Sequence, residues 1–123
     1  LKAVVIDISG RHMLPGGTYC LVCVAVSVIL SPFNVQKVEG VNISRHITND
    51  ISIDIISDTI SRASTNFEGV VITERGEFYN YPEWRVEAIL GRKFKYAESI
   101  GERKAIDIAH HISLAAHRML QEM

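Results

Sequence analysis

Gly101–Leu120 reads GERKAIDIAHHISLAAHRML, and the rest of the chain is arranged around it. At about 100° per residue, Ala105, Ile108, Ala109, Ile112, Ala115, Ala116 and Met119 share one face of a helix. Alanines on that face let a helix lie close on a sheet. Asp107, His110 and His117 fall away from it, and His111 sits nearer its edge. Asp107 and His110 are helical neighbours, three residues apart. A carboxylate beside an imidazole can hold one divalent cation or share a proton. The stretch therefore predicts a long C-terminal helix over Glu102–Met123, with one packing face and one polar cluster. Polar residues on an outer helix face are mostly just solvated, so the weight of this cluster depends on the elements upstream.

Lys2–Ser9 (KAVVIDIS) is a short apolar run suited to a central strand. Pro15-Gly16-Gly17 marks a turn. Thr18–Leu30 predicts a long buried strand, broken at Ser31-Pro32. Val35–His46 alternates loosely and predicts a third strand, near a sheet edge. Short turns between these strands imply an antiparallel meander. Residues 50–63 carry two patterns. Ile51, Ile55, Ile56 and Ile60 have helical spacing, whereas Ile51, Ile53 and Ile55 alternate like a strand. Length, and a cap at Thr48 or Asn49, decide for a helix ending at Ala63. Asp50, Asp54 and Asp58 then form a solvated acidic line. Glu68–Thr73 predicts a fourth strand, with Glu74 at its C-terminal end. Pro82 suits the first position of a short helix to Leu90, which Gly91 ends. Lys93–Ala97 alternates as a fifth strand. The order β-β-β-α-β-α-β-α implies one α/β domain: a mixed five-stranded sheet with helices on its faces.

Composition narrows the function classes. A hydrophobic fraction of 47% over 123 residues supports a real core and excludes a disordered chain. A net charge of −1 excludes a general polycation. A local basic region remains in Arg85, Arg92, Lys93, Lys95, Arg103 and Lys104. The longest apolar stretch, Tyr19–Leu30, is too short to span a bilayer as a helix, and no signal peptide precedes the first strand. Cys20 and Cys23 mimic a CxxC pair but lie in YCLVCVAVSVIL. Residues three apart in a strand point to opposite faces. Both are therefore expected to be buried, reduced and metal-free, in a cytoplasmic protein with no membrane partner.

Three short motifs now fall in order. Asp7-Ile8-Ser9-Gly10 ends the first strand, Glu74 ends the fourth, and Asp107-Ile108-Ala109-His110 lies early in the last helix. With the element order, they make the chain resemble the ribonuclease H-like superfamily, in the style of RuvC-type Holliday-junction resolvases and their small archaeal relatives. The resemblance covers almost the whole chain. It implies a divalent-metal-dependent nuclease acting on DNA or RNA, with Asp7, Glu74, Asp107 and His110 as catalytic and metal-ligating residues and Mg2+ or Mn2+ as cofactor. The sequence departs from that pattern in a longer turn after Gly10, a short helix between strands four and five, and a histidine in place of a fourth carboxylate.

The chemistry has its own logic. Phosphodiester hydrolysis with two cations needs several oxygen ligands converging on ions about 3.5–4 Å apart. Asp7 is the least ordinary residue in the chain, because a carboxylate in an apolar strand is costly to bury without a partner. His111, four residues after Asp107, competes with His110 for the ligand role, and Glu98 and Glu102 are reserve acids. A second reading keeps the fold with an inactive site, as a nucleic-acid-binding or complex-subunit module. There Arg92–Lys95 with Tyr79, Tyr81 and Trp84 would contact single strands. A third uses His110 or His111 as general base on a small molecule. The sequence is compatible with a homodimer.

Overall fold

A computed structural model describes residues 1–121; the last residues of the predicted helix, 122 and 123, lie outside the described residues. The strands are β1 (Lys2–Ser9), β2 (Tyr19–Leu30), β3 (Val35–Thr48), β4 (Val70–Thr73) and β5 (Phe94–Tyr96). The helices are α1 (Ile53–Ala63), α2 (Glu83–Leu90) and α3 (Ile100–Gln121), with a short 3-10 turn at Arg75–Phe78. One sheet holds all five strands in the order β3-β2-β1-β4-β5. β1 pairs antiparallel with β2 and parallel with β4. β2 pairs antiparallel with β3, and β4 parallel with β5. The predicted mixed sheet and meander are present, and β3 is an edge strand.

Period-2 alternation sends β1 side chains to two cores. Val4, Ile6 and Ile8 join Leu21 and Cys23 against α1 and α2, with Ile56, Ile60 and Val86. Ala3 and Val5 join Val24, Val26 and Val28 against α3. Continuous apolar runs in β1 and β2 follow from this, since both strands are covered on both faces.

The contact face of α3 is rotated from the expected one. Ala105, Ala109, Ser113 and Ala116 are buried with Ile106, whereas Ala115 and Met119 are exposed and Ile108 and Ile112 only half-buried. The smallest side chains set the line of closest approach, and a buried serine serves there as well as an alanine. The start of α1 also differs. β3 runs to Thr48, and Thr48, Asp50 and Ser52 form a hydrogen-bonded turn. The helix therefore starts at Ile53, behind Ser52, not behind Thr48 or Asn49.

Of the two acids read as reserve ligands, Glu102 is structural, whereas Glu98 contributes only its backbone N–H and its side chain is exposed. The Ser99 Oγ accepts the Glu102 N–H (3.1 Å), and Glu102 Oε1 accepts the Ser99 and Glu98 N–H groups (3.0 and 2.9 Å). This is a capping box at the start of α3, reinforced by the Lys95–Glu102 ion pair at 2.9 Å. On α2, Glu87 accepts the Phe94 N–H (3.0 Å) and Glu83 the Tyr96 N–H (3.4 Å), closing the outer edge of β5.

Burial raises the Glu102 pKa, but Lys95 and the two backbone N–H groups outweigh it and hold the carboxyl below its ordinary value. A depressed folded-state pKa contributes stability above the unfolded value and loses it as pH falls through the folded one. Glu102→Gln should therefore lose about 1–2 kcal/mol at neutral pH in urea unfolding. The deficit should shrink on acidification below about pH 4; a deficit independent of pH contradicts the assignment.

Candidate active site at the end of the central strand

β1 is the middle strand of the sheet, and Asp7 sits one turn of the pleat before its end. Its alternation places it with Ala3 and Val5 on the α3 side. Asp7 is 7% exposed. A carboxylate at that depth needs a partner, and α3 provides one: His110 Nδ1 lies 3.4 Å from Asp7 Oδ2. The rotation of α3 onto its small-residue line carries His110 to this position. His111, its ring centroid 6.0 Å from that of His110, is exposed and outside the cavity. Of the two histidines, the structure brings His110 to the acid.

The pair opens into a cavity of about 560 Å³, lined among others by Gly10, Arg11, Cys20, Glu77 and His117. The strand-to-loop turn at Gly10 closes one wall. Gly10 has φ +89°, and a Cβ there would stand 2.0 Å from the Cys20 carbonyl oxygen, so only glycine fits. The His117 Nδ1 is buried and has no hydrogen-bond partner among the described residues, the kind of atom that an ordered water or a ligand satisfies.

The second acid at the cavity is Glu77, not the expected Glu74. β4 ends at Thr73, and the chain enters the 3-10 turn, which leaves Glu74 exposed and turns Glu77 inward. Arg11 Nη2 donates to the Glu77 carboxylate (2.6 Å) and to the Glu77 carbonyl oxygen (2.8 Å). Its Nη1 reaches the Tyr79 hydroxyl (3.4 Å), which donates to the Ile51 carbonyl oxygen (2.6 Å). Tyr79 and Asn80 take left-handed backbone angles, φ 52° and 61°, to end this turn. Asp107 is exposed and does not line the cavity. The structure thus brings Asp7 and His110 together, adds Glu77 with its Arg11 partner, and leaves Glu74 and Asp107 outside. Among the described residues, no three His, Cys, Asp or Glu side chains converge as a metal-holding group. Glu77 had one sequence signal, its position just past an apolar strand, which Glu74 shares.

The Asp7–His110 pair can act in two ways. The two donor atoms can share a divalent cation. Alternatively, Asp7 can hold the imidazole by Nδ1 and leave Nε2 to accept or deliver a proton.

Fold and site together define an α/β protein with a mixed five-stranded sheet and an acid–imidazole pair at the end of its central strand. The chain belongs to the DUF2209 family, described as an uncharacterized protein conserved in archaea, whose model matches residues 4–121. It is 30% identical over 122 residues to the uncharacterized protein MJ0095 of Methanocaldococcus jannaschii, covering 95% of this chain and 94% of that one. No solved structure matches it. Among the described residues, no helix is long and apolar enough to cross a membrane.

Cys20 and Cys23 are free thiols on opposite faces, but only Cys23 is fully buried; Cys20 is half-buried at the cavity wall. Burial, with smaller effects of Glu77 and Asp7, pushes the Cys23 thiol far up. A thiol reagent at neutral pH should label Cys20 and spare Cys23 until urea is added. Two equivalents reacting together in the native protein would contradict this.

Burial also pushes the Glu77 carboxyl above the ordinary range, against the pull of Arg11. The stability that a raised pKa gives the protonated form is complete below the unfolded value near ~4.3 and is lost as pH rises through the folded value. Glu77→Gln, which stays neutral, should therefore gain stability relative to wild type as pH rises from about 4 to 7. Parallel urea melts with a constant difference would contradict it.

Proposed function

We propose that this protein is a ribonuclease H-like enzyme that hydrolyses phosphodiester bonds of DNA or RNA, with one Mg2+ or Mn2+ ion held by Asp7 and His110. What supports the reading is one meeting: Asp7 of the first strand with His110 of the last helix, 3.4 Å apart at the wall of a cavity of about 560 Å³. These are the two elements that the sequence resemblance pairs. The element order β-β-β-α-β-α-β-α and the mixed sheet are those it implies. Fold analogy alone carries little functional weight; the buried acid with its imidazole carries more.

The donor set fits one cation and not two. Atoms 3.4 Å apart can both ligate an ion with bonds of about 2.1 Å, and waters can complete its shell. A second ion would need carboxylates that are committed elsewhere, since Glu77 is bound to Arg11 and Glu74 and Asp107 stand outside the cavity. A bound cation supplies Lewis acidity at a phosphoryl oxygen and acidifies a water. The imidazole in the set favours manganese over magnesium. Arg11 holds Glu77 and the 3-10 turn in place.

One observation favours a second reading. The Arg11–Glu77 pair neutralises the second acid, as suits a module that binds nucleic acid without cutting it. The experiment that separates the two is a panel of single-stranded, duplex and branched DNA and RNA, with Mg2+ and with Mn2+. Cleavage should be faster with manganese, and Asp7→Asn should lower it about a hundredfold or more. Cleavage that survives in Asp7→Asn would remove the assignment, and binding without cleavage by the wild type would establish the second reading.

A further inference from the structure

Two of the three cations in the run Arg92–Lys95 are committed within the fold. Arg92 donates to the carbonyl oxygens of Ser64, Phe67 and Gly69, and Lys95 is paired with Glu102. A different set of cations is presented nearby. The Arg85 guanidinium lies 4.2 Å from the Tyr81 ring centroid, and that of Arg75 lies 4.9 Å from the Tyr96 centroid. The Tyr96 hydroxyl donates to the Tyr81 carbonyl oxygen, so both stacks belong to one connected patch. Arg75 and Arg85 are exposed, and neither forms an ion pair among the described residues. Of the acids beside them, Glu83 and Glu87 are turned to the β5 backbone, and Glu74 is exposed. Trp84, next to Arg85, is 72% exposed.

We propose that Arg75, Tyr81, Trp84 and Arg85 form a platform for an unpaired strand of nucleic acid; this rests on the reading that nucleic acid is the ligand and adds the strand form and the residues. A guanidinium placed over a ring can still offer its N–H groups to phosphates. An exposed indole stacks on bases of any sequence. A duplex hides its base faces and offers only charge, so a surface built on aromatic faces prefers unpaired bases. Arg75 opens the 3-10 turn that carries Glu77 to the cavity, so one turn connects the two. With a net charge of −1, attraction comes from this local arrangement and not from general basicity.

The chain has a single tryptophan, so selectively excited tryptophan fluorescence reports on Trp84. Wild-type protein in EDTA is titrated with a fluorescently labelled oligothymidylate, its uridylate counterpart and a duplex of equal length, with anisotropy followed in parallel. Either single strand should quench Trp84 and bind more tightly than the duplex. Arg85→Ala and Arg75→Ala, both exposed, should each weaken binding about tenfold with unchanged circular dichroism. The proposal is overturned if no strand binds, if a strand binds without quenching, if the duplex binds as tightly, or if both arginine variants bind like wild type. Quenching and arginine dependence without any cleavage would leave this platform standing while the nuclease reading fails.

Discussion

A carboxylate buried in the middle strand of an apolar sheet is the constraint on which the rest of this structure depends. Asp7 is flanked by Ile6 and Ile8 and covered by α3. A carboxyl group there needs a polar group delivered from outside the sheet. That group is the His110 imidazole, and its delivery requires α3 to sit close on β1 and β2 in one rotational setting. The line Ala105, Ala109, Ser113 and Ala116 fixes that setting because only small side chains allow the approach. The capping box at Ser99 and Glu102 fixes where the helix begins, and with it the register that places His110. Packing, capping and site geometry are in this sense one problem with one solution.

The other half of the site is built by a different device. β4 is short and stops before β1 does, so the end of β1 beyond Val5 has no strand on that side. The 3-10 turn fills the space, and Glu77 reaches the end of the strand together with Arg11 from the following loop. Two oppositely charged groups from loops thus close what the sheet leaves open. The same turn carries Arg75 outward, so one four-residue segment faces the cavity with one side and the solvent with the other.

Much of the fold was legible because it rests on periodicity. The runs Lys2–Ser9 and Thr18–Leu30 are largely apolar; the first coincides with β1 and the second exceeds β2 by one residue. Pro82 and Gly91 bracket α2, with Pro82 capping the helix from just outside it. What was not legible depends on side chains choosing among equivalent backbone partners. The face of α3 was misjudged at Ile108 and Met119, because hydrophobicity ranks them above a serine while close approach ranks them below it. Glu102 looked like a free acid because its role lies in two backbone N–H groups. Glu74 and Glu77 could not be told apart, since a 3-10 turn has no strong sequence signature, and three residues of it decide which acid faces inward. Asp7 was legible for the opposite reason: its surroundings made it costly, and that cost is local to the sequence.

The central claim is that Asp7 and His110 together form a cation site. Anomalous diffraction from crystals grown with manganese tests it most directly. The account predicts a single strong peak within bonding distance of Asp7 Oδ2 and His110 Nδ1, absent in crystals of Asp7→Asn. Manganese bound elsewhere, or none near this pair at millimolar concentration, would contradict it.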